Sequence, residues 1–354
     1  MRFFSIFVLL FGLIAHADQV SPGAPLKKYD LSAEEEQTIR SHHRQLNRLM
    51  TPMATLPAPL RPFSEVEEAG YLFFSADTSF SSLEAKRTMA RHLPSGVTLV
   101  IFAEPYQDRD SILEDYKGVI DFARVKVVQI RGTRRGFWAR DGLPIPVWSL
   151  NKTMELVDAR YYHGFEPDDL IGRAFQSPVR KHTYYFEGGN FMVNDEGVCV
   201  MVDNDRAIDI PDGIFTDTYG CKNLIRLPFE KGIGHVDESV RFLASKIVLT
   251  DSPTYATRLR QAGLDVRMLP RPRGQYETYV NALLVNGTVF VPVYNQRNQQ
   301  EALDAYRAAG MKVFPVETST LSNDGLGSLH CITMTYPKVP FAQLLKMLGA
   351  IELK

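Results

Sequence analysis

Short apolar runs alternate with amphipathic stretches through most of the chain, and the order in which the two kinds follow one another is regular. Tyr71 to Ser75, Val97 to Phe102 and Val125 to Ile130 read as strands, with helices predicted between them over Ser81 to His92 and Ser111 to Phe122. The clearest unit comes late. Val280 to Val285 and Thr288 to Val293 are apolar runs joined by Asn286-Gly287, a pair suited to a type I′ hairpin because both residues tolerate positive φ. Gln299 to Ala309 then places Ala302, Leu303, Tyr306 and Ala309 on one helix face, Gly310 stops it, and Met311 to Val316 returns as a strand. The same strand–strand–helix–strand order recurs in Phe191 to Val202 and in Ile247 to Leu269. Irregularly spaced repeats of this sort predict similar modules set around a common centre rather than a stacked solenoid.

The first part of the chain breaks the pattern. Met1 and Arg2 precede an apolar run, Phe3 to Ile14, and Ala15-His16-Ala17 has the small-x-small form of a cleavage site. This predicts a secretory signal peptide over 1–17 and an exported, secreted or periplasmic, mature chain. The run is too short to span a bilayer, and no later segment approaches the ~18 apolar residues that a membrane helix needs. Asp18 to Lys28 is a polar lead. Ser32 and Glu35 have capping-box spacing and open a predicted helix that runs to about Met50, and Thr51 to Pro62, with four prolines, is a connector. The expected organisation is therefore a leader (1–17), an extension with one helix (18–68) and a single larger domain (69–354).

The formal charge of −1 excludes the basic excess of a nucleic-acid binder. The 8 histidines are scattered, and His42-His43 read as surface positions on a polar helix. Three cysteines, Cys199, Cys221 and Cys331, make an odd number for an exported chain; the economical arrangement pairs the first two and leaves Cys331 free.

Four stretches carry candidate chemistry. Asn323-Asp324-Gly325, followed by Gly327, reads as a flexible turn that delivers His330-Cys331 to the start of a strand over Ile332 to Tyr336, leaving the sulfur near a sheet end. Trp138-Ala139-Arg140-Asp141-Gly142 contains an Arg–Asp neighbour pair, in isolation more often a surface ion pair. Glu187-Gly188-Gly189-Asn190 places paired glycines at a strand entrance, where backbone can approach a ligand. His235-Val236-Asp237, read as extended, directs His235 and Asp237 to one side, suited to shared proton transfer and cation binding or to half of a metal site. Neither a second histidine cluster nor a His-Glu-x-x-His sequence supports metal.

Taken in order, Asp141, Glu187-Gly-Gly-Asn190, His235-x-Asp237, Tyr279-Val-Asn281 and Gly-x-Gly-x-x-His-Cys331 resemble the agmatine deiminase and bacterial, Porphyromonas-type, peptidylarginine deiminase family of the guanidino-group-modifying superfamily. The similarity runs from about Ala69 to about Pro337. It implies a five-bladed α/β propeller (pentein) of ββαβ modules around a central site. By position it implies Cys331 as nucleophile, His235 as general acid and base, and Asp141 and Asp237 as carboxylates for a guanidinium. Trp138, Glu187, Asn190 and Asn281 follow as pocket or substrate-binding residues. No metal or organic cofactor is implied. The chain departs from the pattern where Ser328 and Leu329 stand in place of further glycine, and where Tyr162-His163-Gly164 only loosely matches the usual Trp-Gly.

The implied reaction is hydrolytic deimination through an amidino-cysteine, releasing ammonia. The partner is a small molecule or peptide carrying a guanidinium, and export favours peptidyl or protein arginine going to citrulline, with Arg160 a candidate cation for a peptide carboxylate. Agmatine going to N-carbamoylputrescine, as in putrescine biosynthesis, is the alternative. Amidino transfer to an amine and non-catalytic guanidinium binding on the same fold complete the set.

Overall fold

A computed structural model describes residues 27–28, 31–49, 60–104, 106–130, 136–161 and 179–354. The leader, nearly all of the proline-rich connector and Tyr162-His163-Gly164 lie outside the described residues.

The hairpin behind the repeat forms where the sequence supplies positive φ, at Asn286 (46°) and Gly287 (75°). Leu283–Val285 therefore folds back antiparallel on Thr288–Val293. The chain leaves through the helix Gln299–Ala308, burying Ala302, Leu303 and Tyr306, and returns as Lys312–Glu317 parallel to Thr288–Val293. The same antiparallel-then-parallel order appears in Met192–Val193, Val198–Asp203 and Asn223–Pro228, and in Val240–Phe242, Ile247–Thr250 and Asp265–Met268. Ile145–Ser149, Met154–Arg160 and Val179–Tyr185 repeat it again, with Leu60–Pro62 added at the edge. Among the described residues the strands form five separate sheets in this mixed α/β fold.

Both ends of the chain build the fifth sheet. Met334–Pro337 pairs antiparallel with Ala69–Ser75, Thr98–Phe102 and Val125–Ile130 follow in parallel, and Ala350–Glu352 lies antiparallel at the far edge. Its strands are apolar on both faces, and the two-residue period sorts them. Phe73, Val100, Phe102 and Val128 enter one core, while Leu72, Phe74, Leu99 and Ile101 enter another. Cys331 lies three residues before the strand Met334–Pro337, so this sheet also positions the thiol.

Cys199 and Cys221 are joined in a disulfide and Cys331 is free and buried. The capping box is present: Glu35 Oε2 accepts from the Ser32 amide at 2.7 Å, and Ser32 Oγ accepts from the Glu35 amide at 3.3 Å, opening Ala33–Leu49. Among the described residues no helix is long and apolar enough to cross a membrane.

Three local expectations are corrected. The helix expected over Ser111 to Phe122 is only Arg109–Glu114, because the chain turns through Gly118 at φ 71°. Asn323-Asp324-Gly325 is the last turn of the helix Ser319–Gly325 rather than a flexible loop, with Leu326 in the left-handed region at φ 66°. His43 is buried rather than exposed: its Nε2 accepts from the Tyr185 amide at 2.9 Å, and burial, with His42 nearby, pushes its pKa down to about 4.

Candidate active site

Cys331 sits in the turn before Met334–Pro337, its side chain fully enclosed. Asn281 holds that turn: its Oδ1 accepts from the His330 and Cys331 amides at 3.1 and 3.4 Å, and its Nδ2 donates to the Asp237 carbonyl at 3.2 Å. The sulfur lies 3.3 Å from Asn281 Oδ1 and 3.6 Å from Asp237 Oδ2. A second tie comes from the Arg140 amide, which donates to the Cys331 carbonyl at 3.1 Å. It brings the short helix Ala139–Gly142, and with it Asp141, against the thiol.

Asp141 and Asp237 are both buried carboxylates in this cluster. Asp141 Oδ1 accepts from the Gly189 amide at 2.9 Å, and a Cβ at Gly189 would stand 2.7 Å from that oxygen and 2.6 Å from His235 Nδ1. The paired glycines are therefore required by close approach, as their position in the sequence suggested. Asp141 Oδ2, Asp237 Oδ1 and His235 Nδ1 have no hydrogen-bond partner among the described residues. Asp237 Oδ1 is thus a buried acceptor left open, and Asp141 Oδ2 meets only the Lys28 ammonium at 3.3 Å, an arrangement that suits a donor-rich, cationic guest.

Two histidines join the cluster. His235 Nε2 lies 3.0 Å from Glu187 Oε2, and its Nδ1 lies 3.6 Å from Asp141 Oδ1. Arg206 Nε holds the same Glu187 oxygen at 2.7 Å. His330 has both ring nitrogens engaged, Nδ1 by Asp237 Oδ2 at 2.6 Å and Nε2 by Glu65 Oε1 at 3.0 Å. Glu65 also pairs with Arg140 and, at 2.6 Å, with Arg241. Burial alone would raise the Glu65 pKa, but Arg140, His330 and Arg241 together hold it well below the usual carboxylate range. Asp237 is held low in the same way by Lys28 and His330 against its own burial.

Lys28 completes the cluster. Its ammonium lies 3.3 Å from Asp141 Oδ2 with both side chains fully enclosed, and 5.8 Å from the Trp138 ring. Burial works against its charge, but Asp141, Cys331 and Asp237 hold the proton and raise its pKa well above the ordinary value. The Cys331 thiol is pushed up to about 12 by burial and by Asp237, with Lys28 opposing.

The structure thus brings Cys331, His235, Asp141, Asp237, Asn281, Trp138 and Glu187 together, though not always as expected. His235 and Asp237 do not lie on an extended segment; Val236–Glu238 is a 3₁₀ turn, and the two side chains take different partners, His235 with Glu187 and Asp237 with His330. Arg140 is buried against Glu65 and is not a surface partner. Asn190 is engaged by backbone, donating to the Val202 carbonyl at 2.8 Å and accepting from the Val202 and Val236 amides, which fixes the His235 turn. Arg160 lies with its guanidinium 5.0 Å from the Tyr185 ring and pairs with no member of this cluster. Lys28, Glu65, His330 and Arg206 were missed. No local motif marks Lys28 or Glu65, whose roles depend on long-range packing. His330, next to the cysteine in an otherwise apolar run, was the one signal available.

Among the described residues no group of three or more His, Cys, Asp and Glu is arranged to hold a metal ion. Compared with known proteins, residues 81–337 match the family pattern of the Porphyromonas-type peptidyl-arginine deiminases. A curated protein of Streptococcus mutans, provisionally named an agmatine deiminase, is 30% identical over 96 residues. That match spans 26% of this chain and only about a quarter, 26%, of the relative. Among solved structures, the agmatine deiminase of C. jejuni superposes with a TM-score of 0.66 at 20% identity, covering 82% of this chain and 99% of that one. The agmatine deiminase of Enterococcus faecalis gives 0.64 at 17%, covering 82% and 100%. At these identities the likeness is one of fold.

Proposed function

The chain belongs to the Porphyromonas-type peptidyl-arginine deiminase family, and from that premise we propose that it hydrolyses a guanidinium group through a covalent amidino-cysteine on Cys331. One observation carries this reading: a buried thiol shares its site with two buried carboxylates, Asp237, which lies 3.6 Å from the sulfur and has an oxygen left open, and Asp141, whose Oδ2 already meets a cation in the Lys28 ammonium at 3.3 Å. A guanidinium is planar, permanently charged and rich in donors, so it suits a pair of carboxylates. Held between Asp141 and Asp237, it presents its central carbon to the sulfur.

The thiol is neutral in a buried site that pushes its pKa to about 12. A cation placed beside it favours the thiolate. The thiolate adds to the guanidinium carbon, giving a neutral tetrahedral adduct. Protonated His235 gives its proton to one nitrogen, the C–N bond breaks and ammonia leaves, and a thiouronium remains on the sulfur. His235, now neutral, takes a proton from water as the oxygen adds to the same carbon. The C–S bond then breaks, returning the thiolate and leaving the ureido product, and the surplus proton ends on ammonia as ammonium. Glu187 steadies the imidazole through its Nε2, leaving Nδ1 toward the reacting atoms.

Peptidyl or protein arginine going to citrulline is the first substrate class on the family match. Agmatine going to N-carbamoylputrescine stands beside it, favoured by the agmatine deiminases among the relatives and fold neighbours. Export of the mature chain, by a leader removed near Ala17, belongs to this reading and supports the peptide substrate. So does a division into an N-terminal extension and a deiminase domain over 69–354. We read the five sheets, each built on the same antiparallel-then-parallel order, as the five blades of a propeller around this site.

The test is ammonia release from the mature chain with agmatine, free arginine and an arginine-containing peptide, each beside Cys331→Ala. Release lost in the variant supports the reading. No release from any of the three, together with no labelling of Cys331 by a haloacetamidine, would leave a guanidinium-binding protein. Transfer of the amidino group to an added amine, in place of ureido product, would make the chain an amidinotransferase.

A further inference from the structure

Lysine is rarely buried fully, because its ammonium loses hydration that few protein sites replace. Lys28 is buried, and its ammonium lies beside Asp141 and over the Trp138 ring in the site described above. Its amide donates to the Gly325 carbonyl at 2.8 Å, so its main chain is docked at the end of the helix Ser319–Gly325. Its stem passes Gly327, where a Cβ would stand 3.1 Å from Lys28 Cδ and 2.6 Å from Trp138. The indole and the lysine stem both press on the Gly327 backbone, which leaves no room for a side chain at that position. At the stem's end the ammonium lies 3.3 Å from Asp141 Oδ2, and a Cβ at Gly189 would stand 3.1 Å from it. Counting outward from Cα, lysine Nζ and arginine Cζ occupy the same place. A lysine docked in this slot therefore presents nitrogen where an arginine on the same backbone would present the carbon that the thiol attacks.

We propose that Lys28 is a substrate mimic carried by the chain itself, and that the site takes a cationic side chain borne within a polypeptide whose main chain bonds at Gly325. This rests on the deiminase reading and narrows its substrate class. Lys28 has residues on both sides in the sequence, so the residue seated in the site is internal and carries no terminal carboxylate. The preferred substrate is accordingly an arginine with residues on both sides, and agmatine fills only the inner half of the slot. Lysine has no electrophilic carbon at that place, so it occupies the site without reacting. A tethered occupant acts at a high effective concentration, so it competes with every incoming substrate until it is withdrawn.

Three variants of the full mature chain test this. Lys28→Arg places a guanidinium carbon at the thiol. The expected result is citrulline at position 28, seen by peptide mass mapping, with one equivalent of ammonia, both absent in Lys28→Arg, Cys331→Ala. Lys28→Ala vacates the slot but removes the cation that favours the thiolate. Labelling by a cationic haloacetamidine should then rise about tenfold, while labelling by neutral iodoacetamide should fall or stay level. A variant that had merely loosened would speed both reagents together, which would overturn the proposal. Lys28→Arg that turns over added agmatine yet keeps arginine at position 28 would also overturn it while leaving the deiminase reading intact. Failure of every substrate and of the cationic label would instead remove that reading, and the mimic with it.

Discussion

Two histidines belong to the cluster around one thiol, and they are held in opposite ways. His330 is clamped on both ring nitrogens, by Asp237 at 2.6 Å and Glu65 at 3.0 Å, and Glu65 is in turn fixed by Arg140 and Arg241. Burial, together with Arg140 and Arg241, lowers the His330 pKa, while Glu65 and Asp237 oppose the shift. His235 is held on one nitrogen only, by Glu187, and its Nδ1 is left without a hydrogen-bond partner among the described residues. An imidazole with both nitrogens engaged positions its neighbours; one with a nitrogen to spare can move a proton. Nearness to Cys331 in the sequence favours His330, and availability in space favours His235. On the proposed mechanism, availability decides.

The sharpest way to break that comparison is to remove each ring in turn. His235→Gln should lower kcat by about 10²- to 10⁴-fold, the range for a general acid and base. It should still label with haloacetamidine, since alkylation needs no departing ammonia. His330→Gln should lower turnover and labelling together and by less, because it disturbs Asp237 and the Cys331 turn without removing the proton carrier. Steady-state rates beside labelling rates check both. If His330→Gln labels normally but loses turnover, while His235→Gln keeps turnover, the roles are the reverse of those argued here.

Glu65 tests the clamped arm by itself. Glu65→Gln leaves the guanidiniums of Arg140 and Arg241 buried with no countercharge, an arrangement that typically costs about 3–5 kcal/mol. The expected result is a denaturation midpoint shifted down in proportion, with activity lost through displacement of His330 and Asp237. Unchanged stability would mean that Arg140 and Arg241 find other partners.

The thiol itself predicts a pH dependence. The acid form of Cys331 is favoured up to about pH 12, so the thiolate fraction at neutral pH is small and rises about tenfold for each unit of pH below that value. Neutral iodoacetamide should follow this rise closely. The haloacetamidine, which carries its own cation to the sulfur, should be faster at pH 7 and flatter with pH. Equal pH profiles for the two reagents would show that the incoming charge does not help the thiol to ionise.

What the sequence made legible were the parts in which local order matches the final structure. The Asn286-Gly287 hairpin, the capping box and the late strand–strand–helix–strand module are local statements, and the structure has them. Five motifs in order pointed to the cluster around Cys331, and a close-approach argument at Gly189 proved sound. The losses were at long range. Glu65 lies 265 residues from His330 along the chain, and nothing near it announces a largely enclosed anion. His43 looked exposed because its helix is polar, yet that helix packs on the end of a strand and encloses one histidine. Alternation along a strand placed His235 and Asp237 side by side, whereas a single 3₁₀ turn sends them to different arms.

The smallest effect concerns the arm that enters from outside the clamps. Ser32 and Glu35 cap the helix Ala33–Leu49 just beyond Lys28, and both are exposed, so their mutual hydrogen bonds are modest ones. Ser32→Ala should cost about 1 kcal/mol of local helix stability, a factor of roughly five in the equilibrium that keeps this segment docked. Its consequence for the site is indirect. Fraying of the first turn frees main chain on the C-terminal side of Lys28, so haloacetamidine labelling should rise by at most about that factor, with kcat on a saturating substrate unchanged. Hydrogen exchange over Ala33–Leu49 reports the fraying and labelling reports the release. Fraying without faster labelling would mean that the Gly325 contact and the Asp141 pair hold Lys28 without help from the helix.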